Sequence, residues 1–145
     1  MPKNDNKPRL FLDLLELGAA NGGAAVSDFY QPDRDIEISE LLFEAWDANH
    51  QPFSPNQHGS GNTAAGNAIP ALSALEITIT EDGNNVPFQK PFRASLLCTS
   101  GGRQRVLPHP FRFYEGVKYK FTVTNKGTPN MLGCQIGFPY LRDNN

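Results

Sequence analysis

The residues with the clearest potential for chemistry are three histidines, His50, His58 and His109, and two cysteines, Cys98 and Cys134. A local metal site takes such ligands at close spacing, and none of the histidines has a partner at i, i+2 or i, i+4 in a known pattern. Both cysteines lie in apolar, strand-like surroundings without the cationic neighbours that lower a thiol pKa. We expect solvated histidines, two buried free thiols and neither metal nor cofactor, although the sequence also permits a disulfide.

Other catalytic patterns are weak. Ser60 follows His58 in a Gly-rich stretch, but no nucleophile elbow surrounds it. Gly59-Ser60-Gly61-Asn62 lacks the lysine and the strand–helix frame of a phosphate loop. The carboxylates that cluster in sequence are interpreted as exposed residues beside a core strand; they are Glu37, Glu40 and Glu44. We therefore predict that the chain is not an enzyme.

Composition limits the classes of protein further. A chain of 145 residues suits one domain, and a formal net charge of −2 without clustered lysines and arginines argues against nucleic-acid binding. The polar N-terminus has no apolar signal core, and no run is long enough to span a bilayer. We expect a flexible arm over residues 1–8, a single domain over residues 9–145, no membrane contact and synthesis in a cytoplasm.

Period-two patterns predict strands. Val117, Tyr119, Phe121 and Val123 alternate with lysine and threonine, which places the two sets on opposite faces of a strand. The turn Tyr114-Glu115-Gly116 precedes it, and with the short run Phe111–Phe113 it predicts a hairpin. Similar alternation predicts further strands over 36–38, 75–80 and 131–141, with a turn at 81–85.

Several segments are less clear. Arg9–Leu17 favours a strand, with a short helix as the alternative, and residues 41–46 fit a bulged strand or a helical turn. Arg93–Thr99 is predicted as a strand and Gly18–Ala25 as a loop, while Pro87 and Pro91 place residues 86–92 at an edge or outside a ladder. The count of strands predicts an all-β fold, an antiparallel β-sandwich with long loops, the jelly roll being one form of it.

Aromatic residues raise one alternative. A platform made of Trp46, Tyr30, Tyr114 and Tyr140 would suit a carbohydrate-binding β-sandwich that recognises a receptor or glycan. Aromatics on strands are more often core residues. We expect exposure for Tyr30 and Tyr140, which lie close to prolines.

The C-terminal part resembles small β-sandwich structural proteins of tailed bacteriophages. The shared pattern is a Pro-flanked apolar strand, an acidic-Gly turn, an alternating strand ending in Thr-Asn, a polar loop, and a terminal strand with Gly and aromatics. Its parts here are Leu107–Phe113, Tyr114–Gly116, Val117–Asn125, Lys126–Asn130 and Leu132–Arg142.

That resemblance implies a virion protein, either a capsid decoration (cement) protein or another head-associated component. It would act as a homo-oligomer and bind the major capsid protein or other virion proteins, after assembly in the host cytoplasm. The N-terminal arm and the long loop Asp47–Pro70 would reach neighbouring subunits. The candidate contact residues are Pro2, Lys3, Asn4, Phe53, His58, Asn62, Tyr30 and Tyr140.

Overall fold

The computed structural model describes residues 8–55, 70–81, 84–85, 90–98, 106, 109–127 and 129–142. These residues form ten strands and two short 3₁₀ helices, Leu72–Ala74 and Ala94–Leu97. The strands are β1 (Arg9–Leu17), β2 (Ala25–Tyr30), β3 (Ile36–Ile38), β4 (Leu42–Asp47), β5 (Leu75–Glu81), β6 (Asn84–Asn85), β7 (Phe92–Arg93), β8 (Phe111–Phe113), β9 (Tyr119–Asn125) and β10 (Met131–Arg142).

All the strand pairs are antiparallel and form two main sheets and one small one. Sheet I has the order β1-β10-β4, and sheet II has the order β2-β9-β5, with β6 and β7 on the far side of β5. Strands β3 and β8 pair separately. The last two strands are therefore central in the two main sheets. β10 lies between β1 and β4 in sheet I, and β9 lies between β2 and β5 in sheet II. This wrapped order is that of a jelly roll, and the fold is an all-β sandwich, as predicted.

The core lies between sheets I and II, where the inward residues of each alternating strand meet. Phe121 on β9 and Phe138 on β10 are fully buried, with ring centroids 5.3 Å apart in an edge-to-face contact. Phe113 on β8 and Tyr30 on β2 also pack on Phe138, the latter with nearly parallel rings. Aromatic pairs of this kind stabilise the fold beyond the burial of their surface. The rings of the central strands therefore hold the two sheets together.

Polar ties close the ends of the sandwich. The buried Asn125 donates from its side-chain nitrogen to the carbonyl oxygens of Ala20 and Pro129, at 3.1 and 3.0 Å. Its side-chain oxygen accepts a hydrogen bond from the backbone nitrogen of Gly127. Every polar atom of this buried amide thus serves the connections between strands, which stabilises their geometry.

Several predictions from the sequence are confirmed. Arg9–Leu17 is a strand, so the helical alternative is wrong, and residues 42–47 also form a strand. Strands β3, β5, β9 and β10 lie where their alternation predicted, and β5 and β6 pair across the predicted turn. Gly116 has a φ of +75°, the left-handed conformation that glycine adopts easily.

Three other predictions are wrong. Phe111–Phe113 does not form a hairpin with β9, because the chain crosses from the small sheet, where β8 pairs with β3, to sheet II. Residues 94–97 form a 3₁₀ helix instead of a strand; the run Leu96-Leu97-Cys98 has no period of two to hold it in a ladder. Strand β2 begins inside the predicted loop, and its inward set includes Asp28 between Val26 and Tyr30, which weakens its pattern.

Candidate functional site

The residues with potential for chemistry do not come together. His50 and His109 are exposed, while His58 lies outside the described residues, as does Ser60. Neither cysteine forms a disulfide, and Cys98 is half-buried while Cys134 is buried. Burial raises the pKa of the Cys134 thiol to about 12, although a hydrogen bond with the Leu17 backbone acts in the opposite direction. A thiol held neutral in this way is a packing group and a poor nucleophile.

The acidic residues are also dispersed or structural. Glu37 lies on β3 opposite Arg112, and Glu44 points outward from β4. Asp47 is buried, and its carboxylate accepts hydrogen bonds from the backbone nitrogens of Asn49 and Gln51, so it shapes the turn after β4. Among the described residues, no group of three His, Cys, Asp or Glu residues is placed to hold a metal ion.

Three of the candidate contact residues are core residues. Tyr30 and Tyr140 are each 7% exposed and Phe53 is 5% exposed, so the expected exposure of the two tyrosines is wrong. Tyr30 lies under the ring of Phe138 and donates its hydroxyl hydrogen bond to Asp13 at 2.7 Å. Their rings cannot form a flat platform for a sugar or a partner. The other candidates, Pro2, Lys3, Asn4, His58 and Asn62, lie outside the described residues.

The surface that stands out is the outer face of sheet I. We call it the leucine face and define it by the outward residues Leu10, Leu12, Leu14, Leu42, Gly137, Pro139 and Leu141. Four of these leucines are more than half exposed: Leu10 at 71%, Leu12 at 51%, Leu14 at 56% and Leu141 at 66%. Together they present a few hundred Å² of contiguous apolar surface, a size that usually marks an interaction site.

The register of sheet I explains why these side chains share one face. Leu10 lies opposite Leu141, Leu12 opposite Pro139 and Leu14 opposite Gly137. On the other side of β10, Gly137 lies opposite Leu42. Since residues i and i+2 of a strand share a face, the even positions of β1 point outward while Leu15 and Leu17 point into the core.

The leucine face is not flat. Gly137 leaves a hollow in its middle, because a Cβ there would lie 3.0 Å from Leu42 Cβ and 3.3 Å from Leu12 Cδ1. The depression has a volume of about 380 Å³, and Leu14, Leu42 and Phe43 form part of its wall. A second depression, of about 480 Å³, lies at the Leu10 end of the face, beside Leu141, Pro139 and Pro110.

Both ends of the leucine face carry carboxylates. Glu16 and Glu44 lie on the outward sets of β1 and β4 at one end. Glu37 and Glu40 line the second depression at the Leu10 end. These charged side chains flank the apolar centre and leave it free of charge.

The outer face of sheet II has a different chemistry. We call it the threonine face; its outward residues are Ser27, Phe29, Glu76, Thr78, Thr80, Lys120, Thr122 and Thr124. The hydroxyl groups of Ser27 and Thr122 share a hydrogen bond of 2.8 Å. Lys126 lies 3.9 Å from Glu76 at the end of this face. Only Phe29 is a large exposed apolar side chain there, so the threonine face suits water.

The sequence interpretation missed the leucine face, although the sequence contains a signal for it. β1 has leucine on both of its alternating sets, whereas β9 is apolar on one set and polar on the other. A strand that is apolar on both faces is typical of a strand covered on both sides. In Arg9–Leu17 the two apolar sets therefore indicate a strand whose outer face has a partner.

Comparison of the chain with family models, curated proteins and solved structures finds no match. In the part of the chain that the structure describes, no helix is long and apolar enough to cross a membrane.

Proposed function

We propose that this chain is a non-enzymatic structural protein of a virus particle, most closely a capsid decoration (cement) protein that stabilises a shell through protein–protein contacts. The observation that carries the proposal is the leucine face, an apolar sheet surface with charged ends that requires a protein partner to leave water. The partners would be copies of this chain and the major capsid protein or another virion protein.

Two further observations support a role by contact. The jelly-roll order of the sandwich is an architecture that viral capsid proteins use, although it also serves lectins and enzymes. The segment that resembles phage structural proteins contributes the central strands β9 and β10, so the resemblance lies in the part that organises both sheets. Fold alone does not assign function, which is why the leucine face carries the argument.

The glycan-binding alternative depends on aromatic side chains that are exposed at the surface. Tyr30 and Tyr140 are buried, and Trp46 packs against Gly133 with its ring 3.0 Å from the position of a Cβ there. Of the four aromatics considered, Tyr114 alone is about half exposed, and one ring does not make a stacking platform.

Particle purification tests the proposal. The chain is produced together with the virus whose genome encodes it, particles are separated on a density gradient, and the chain is followed by mass spectrometry. We expect it to migrate with the shell, and particles that lack it to release their genome at a lower temperature. A chain that stays at the top of the gradient, with particles equally heat-resistant without it, would contradict the proposal.

A matched pair of variants links the result to the leucine face. Leu12→Glu and Phe29→Glu each place a carboxylate at an outward, half-exposed apolar position on an edge strand, one in sheet I and one in sheet II. We expect Leu12→Glu to lower the amount of the chain in particles and Phe29→Glu to leave it unchanged. Equal incorporation of both would show that the leucine face is not a contact surface in the particle.

A further inference from the structure

We infer that the leucine face binds a segment of a partner protein that carries apolar side chains along one side and lysine or arginine side chains along the other. The inference rests on the proposed function, because it states the chemistry of the partner that the contact surface takes. Three properties of the face support it: a groove along β10, the charges on one wall of this groove, and the area of the face.

The two depressions of the leucine face follow one another along β10. Gln135 and Gly137 line the first, and Pro139 and Leu141 line the second. The register with β1 places all four residues on the outward set of β10. Because alternate residues of a strand share one face, the two depressions form one groove in the direction of the strand, which we call the β10 groove.

The two walls of the β10 groove differ in charge. β1 forms one wall with its outward leucines Leu10 and Leu14, which are 71% and 56% exposed. β3, β4 and the segment between them form the other wall, which carries three carboxylates besides its apolar residues. These carboxylates belong to Glu37, Glu40 and Glu44. An occupant of the groove would therefore meet leucines on one side and negative charge on the other.

The carboxylates of this wall have no ion pair with the described part of the chain. Glu37 lies opposite Arg112 across the β3–β8 ladder, but the two side chains do not form an ion pair. The ion pairs among the described residues lie elsewhere and join Asp33 to Arg34 and Glu76 to Lys126. Exposed charges without an internal partner attract a partner surface of the opposite sign and give it specificity.

Charge also selects among the possible occupants. A lysine or arginine directed toward Glu40 or Glu44 gains an attraction, while apolar side chains directed toward β1 leave water. A second copy of this chain would bring the same carboxylates and place like charges together at both ends of the face. The phosphates of a nucleic acid or of an anionic lipid surface would be repelled in the same way. A basic, amphipathic protein segment has the complementary chemistry.

The area of the leucine face suits a segment better than a whole protein surface. From the strand rise and spacing, three strands of this length span roughly 30 Å by 15 Å, about half of the roughly 800 Å² per partner that stable interfaces bury. An extended segment rises about 3.3 Å per residue, so about eight residues would follow the β10 groove. We expect reversible binding with a dissociation constant on the order of 100 µM.

Fluorescence anisotropy of labelled peptides, titrated with the full chain, tests this chemistry. The probes are three peptides of about eight residues, in which leucine alternates with lysine, leucine with glutamate, or serine with lysine. We expect the Leu-Lys peptide to bind, and the other two to bind at least about tenfold more weakly, because one lacks the cations and the other the apolar side chains. Raising the salt from about 0.05 M to about 0.5 M should weaken binding of the Leu-Lys peptide severalfold, since salt screens exposed charges.

Two matched pairs of variants locate the binding. Glu44→Lys and Glu76→Lys exchange an outward carboxylate on sheet I and on sheet II, and both change the formal net charge by the same amount. Glu44→Lys should weaken binding of the Leu-Lys peptide about tenfold, because a repulsion replaces an attraction, and Glu76→Lys should have little effect. Leu14→Ser and Phe29→Ser each remove an apolar side chain, 56% and 53% exposed, and only Leu14→Ser should weaken binding. Circular dichroism confirms that each variant is folded.

Cross-linking in purified particles identifies the natural occupant. A carbodiimide joins a carboxylate to a lysine that contacts it, and mass spectrometry identifies the two linked peptides. We expect Glu40 and Glu44 to be linked to lysines of another virion protein, in a segment that also contains apolar residues. Links to a second copy of this chain alone would overturn the inferred occupant.

The outcomes separate this inference from the proposed function. A chain that binds the three peptides alike, or a Glu44→Lys variant that binds the Leu-Lys peptide as well as Glu76→Lys does, would overturn the inference. Incorporation into particles that still depends on Leu12 would then keep the contact function. Conversely, a chain that binds the Leu-Lys peptide in the β10 groove but stays out of particles would support the inferred chemistry and contradict the proposed function.

Discussion

The two outer faces of the sandwich have the same backbone architecture and opposite chemistry. Each has one of the last two strands at its centre, β10 in the leucine face and β9 in the threonine face, and each buries its inward residues in the same core. The leucine face carries leucines, a proline and a glycine, whereas the threonine face carries hydroxyl groups and charges. Folding requires only that the inward set be apolar. Folding alone therefore does not explain the outward leucines, and the proposed function assigns them to a contact with a partner.

The difference also lies in the edge strands. β1 and β2 occupy corresponding edges, one in each sheet, and a hydrogen bond joins them where Tyr30 donates to Asp13. β2 presents Ser27 beside the hydroxyl of Thr122, whereas β1 presents Leu10, Leu12 and Leu14 without such partners. A long apolar edge strand is a risk for aggregation unless a partner covers it.

The largest expected effect distinguishes inward from outward residues on the same sheet. Phe138→Ala removes a fully buried ring that packs on Tyr30, Phe113 and Phe121, and should lower the free energy of unfolding by about 3–5 kcal/mol. Leu14→Ala removes a half-exposed side chain and should cost less than about 1 kcal/mol in the monomer. Urea denaturation at low chain concentration measures both. Equal costs would mean that the leucine face is part of the core.

The next effect concerns the hollow in the leucine face. Gly137→Val forces Leu42 and Leu12 to move, because the Cβ alone would lie 3.0 and 3.3 Å from their carbon atoms, and should cost about 1–3 kcal/mol. It should also lower incorporation into particles by filling the hollow. Gly18→Val is the control, since a Cβ there meets nothing within 4 Å. A stable Gly137→Val chain that is fully incorporated would contradict the role of the hollow.

Alkaline pH tests the groups that lie between the two sheets. Burial and the hydrogen bond to Asp13 raise the pKa of Tyr30, so its neutral form contributes stability that is complete below about pH 10 and is lost above it. The buried thiol of Cys134 behaves alike, from about pH 9 to its raised pKa of about 12. Tyr30→Phe should cost about 1 kcal/mol at pH 7 and flatten the fall above pH 10. Urea titrations from pH 7 to 11 measure this, and an unchanged slope in the variant would contradict it.

The smallest effect is expected on the threonine face. Thr122→Ala removes the 2.8 Å hydrogen bond to Ser27 between exposed side chains, and should cost about 0.2–1 kcal/mol, the usual value of a cross-strand pair. Particle purification should show no change in incorporation of the variant. A loss of incorporation would mean that the threonine face contributes to assembly, and the contrast between the faces would fail.

The fold could be predicted from the sequence where one alternating set is apolar and the other polar, as in β5 and β9. It could not be predicted where the pattern is weakened by an inward carboxylate, as at Asp28 in β2, or where an apolar run has no period, as at Leu96 and Leu97. The predicted pairing of β8 was also wrong. Proximity in sequence favours a hairpin with β9, whereas in the folded chain β8 pairs with β3.

The candidate site depended on information that alternation alone does not contain. Both sets of β1 are apolar, so the sequence does not decide which set faces the core; the register with β10 decides it by placing Leu15 and Leu17 inward. Tyr30 and Tyr140 were expected at the surface because of nearby prolines, but they lie on the inward sets of β2 and β10. Whether a residue belongs to the inward or the outward set of its strand therefore predicts its burial better than the presence of a nearby proline does.

Hydroxyl-radical footprinting of the free chain and of the chain in purified particles tests the central claim most directly, because it compares the two faces in one sample. Leu10, Leu12, Leu14 and Leu141 should be labelled strongly in the free chain and become protected in particles, while Phe29 on the threonine face is labelled equally in both. Leucines that remain as reactive as Phe29 in particles, or that are already protected in the free chain, would contradict the claim that the leucine face is a contact surface.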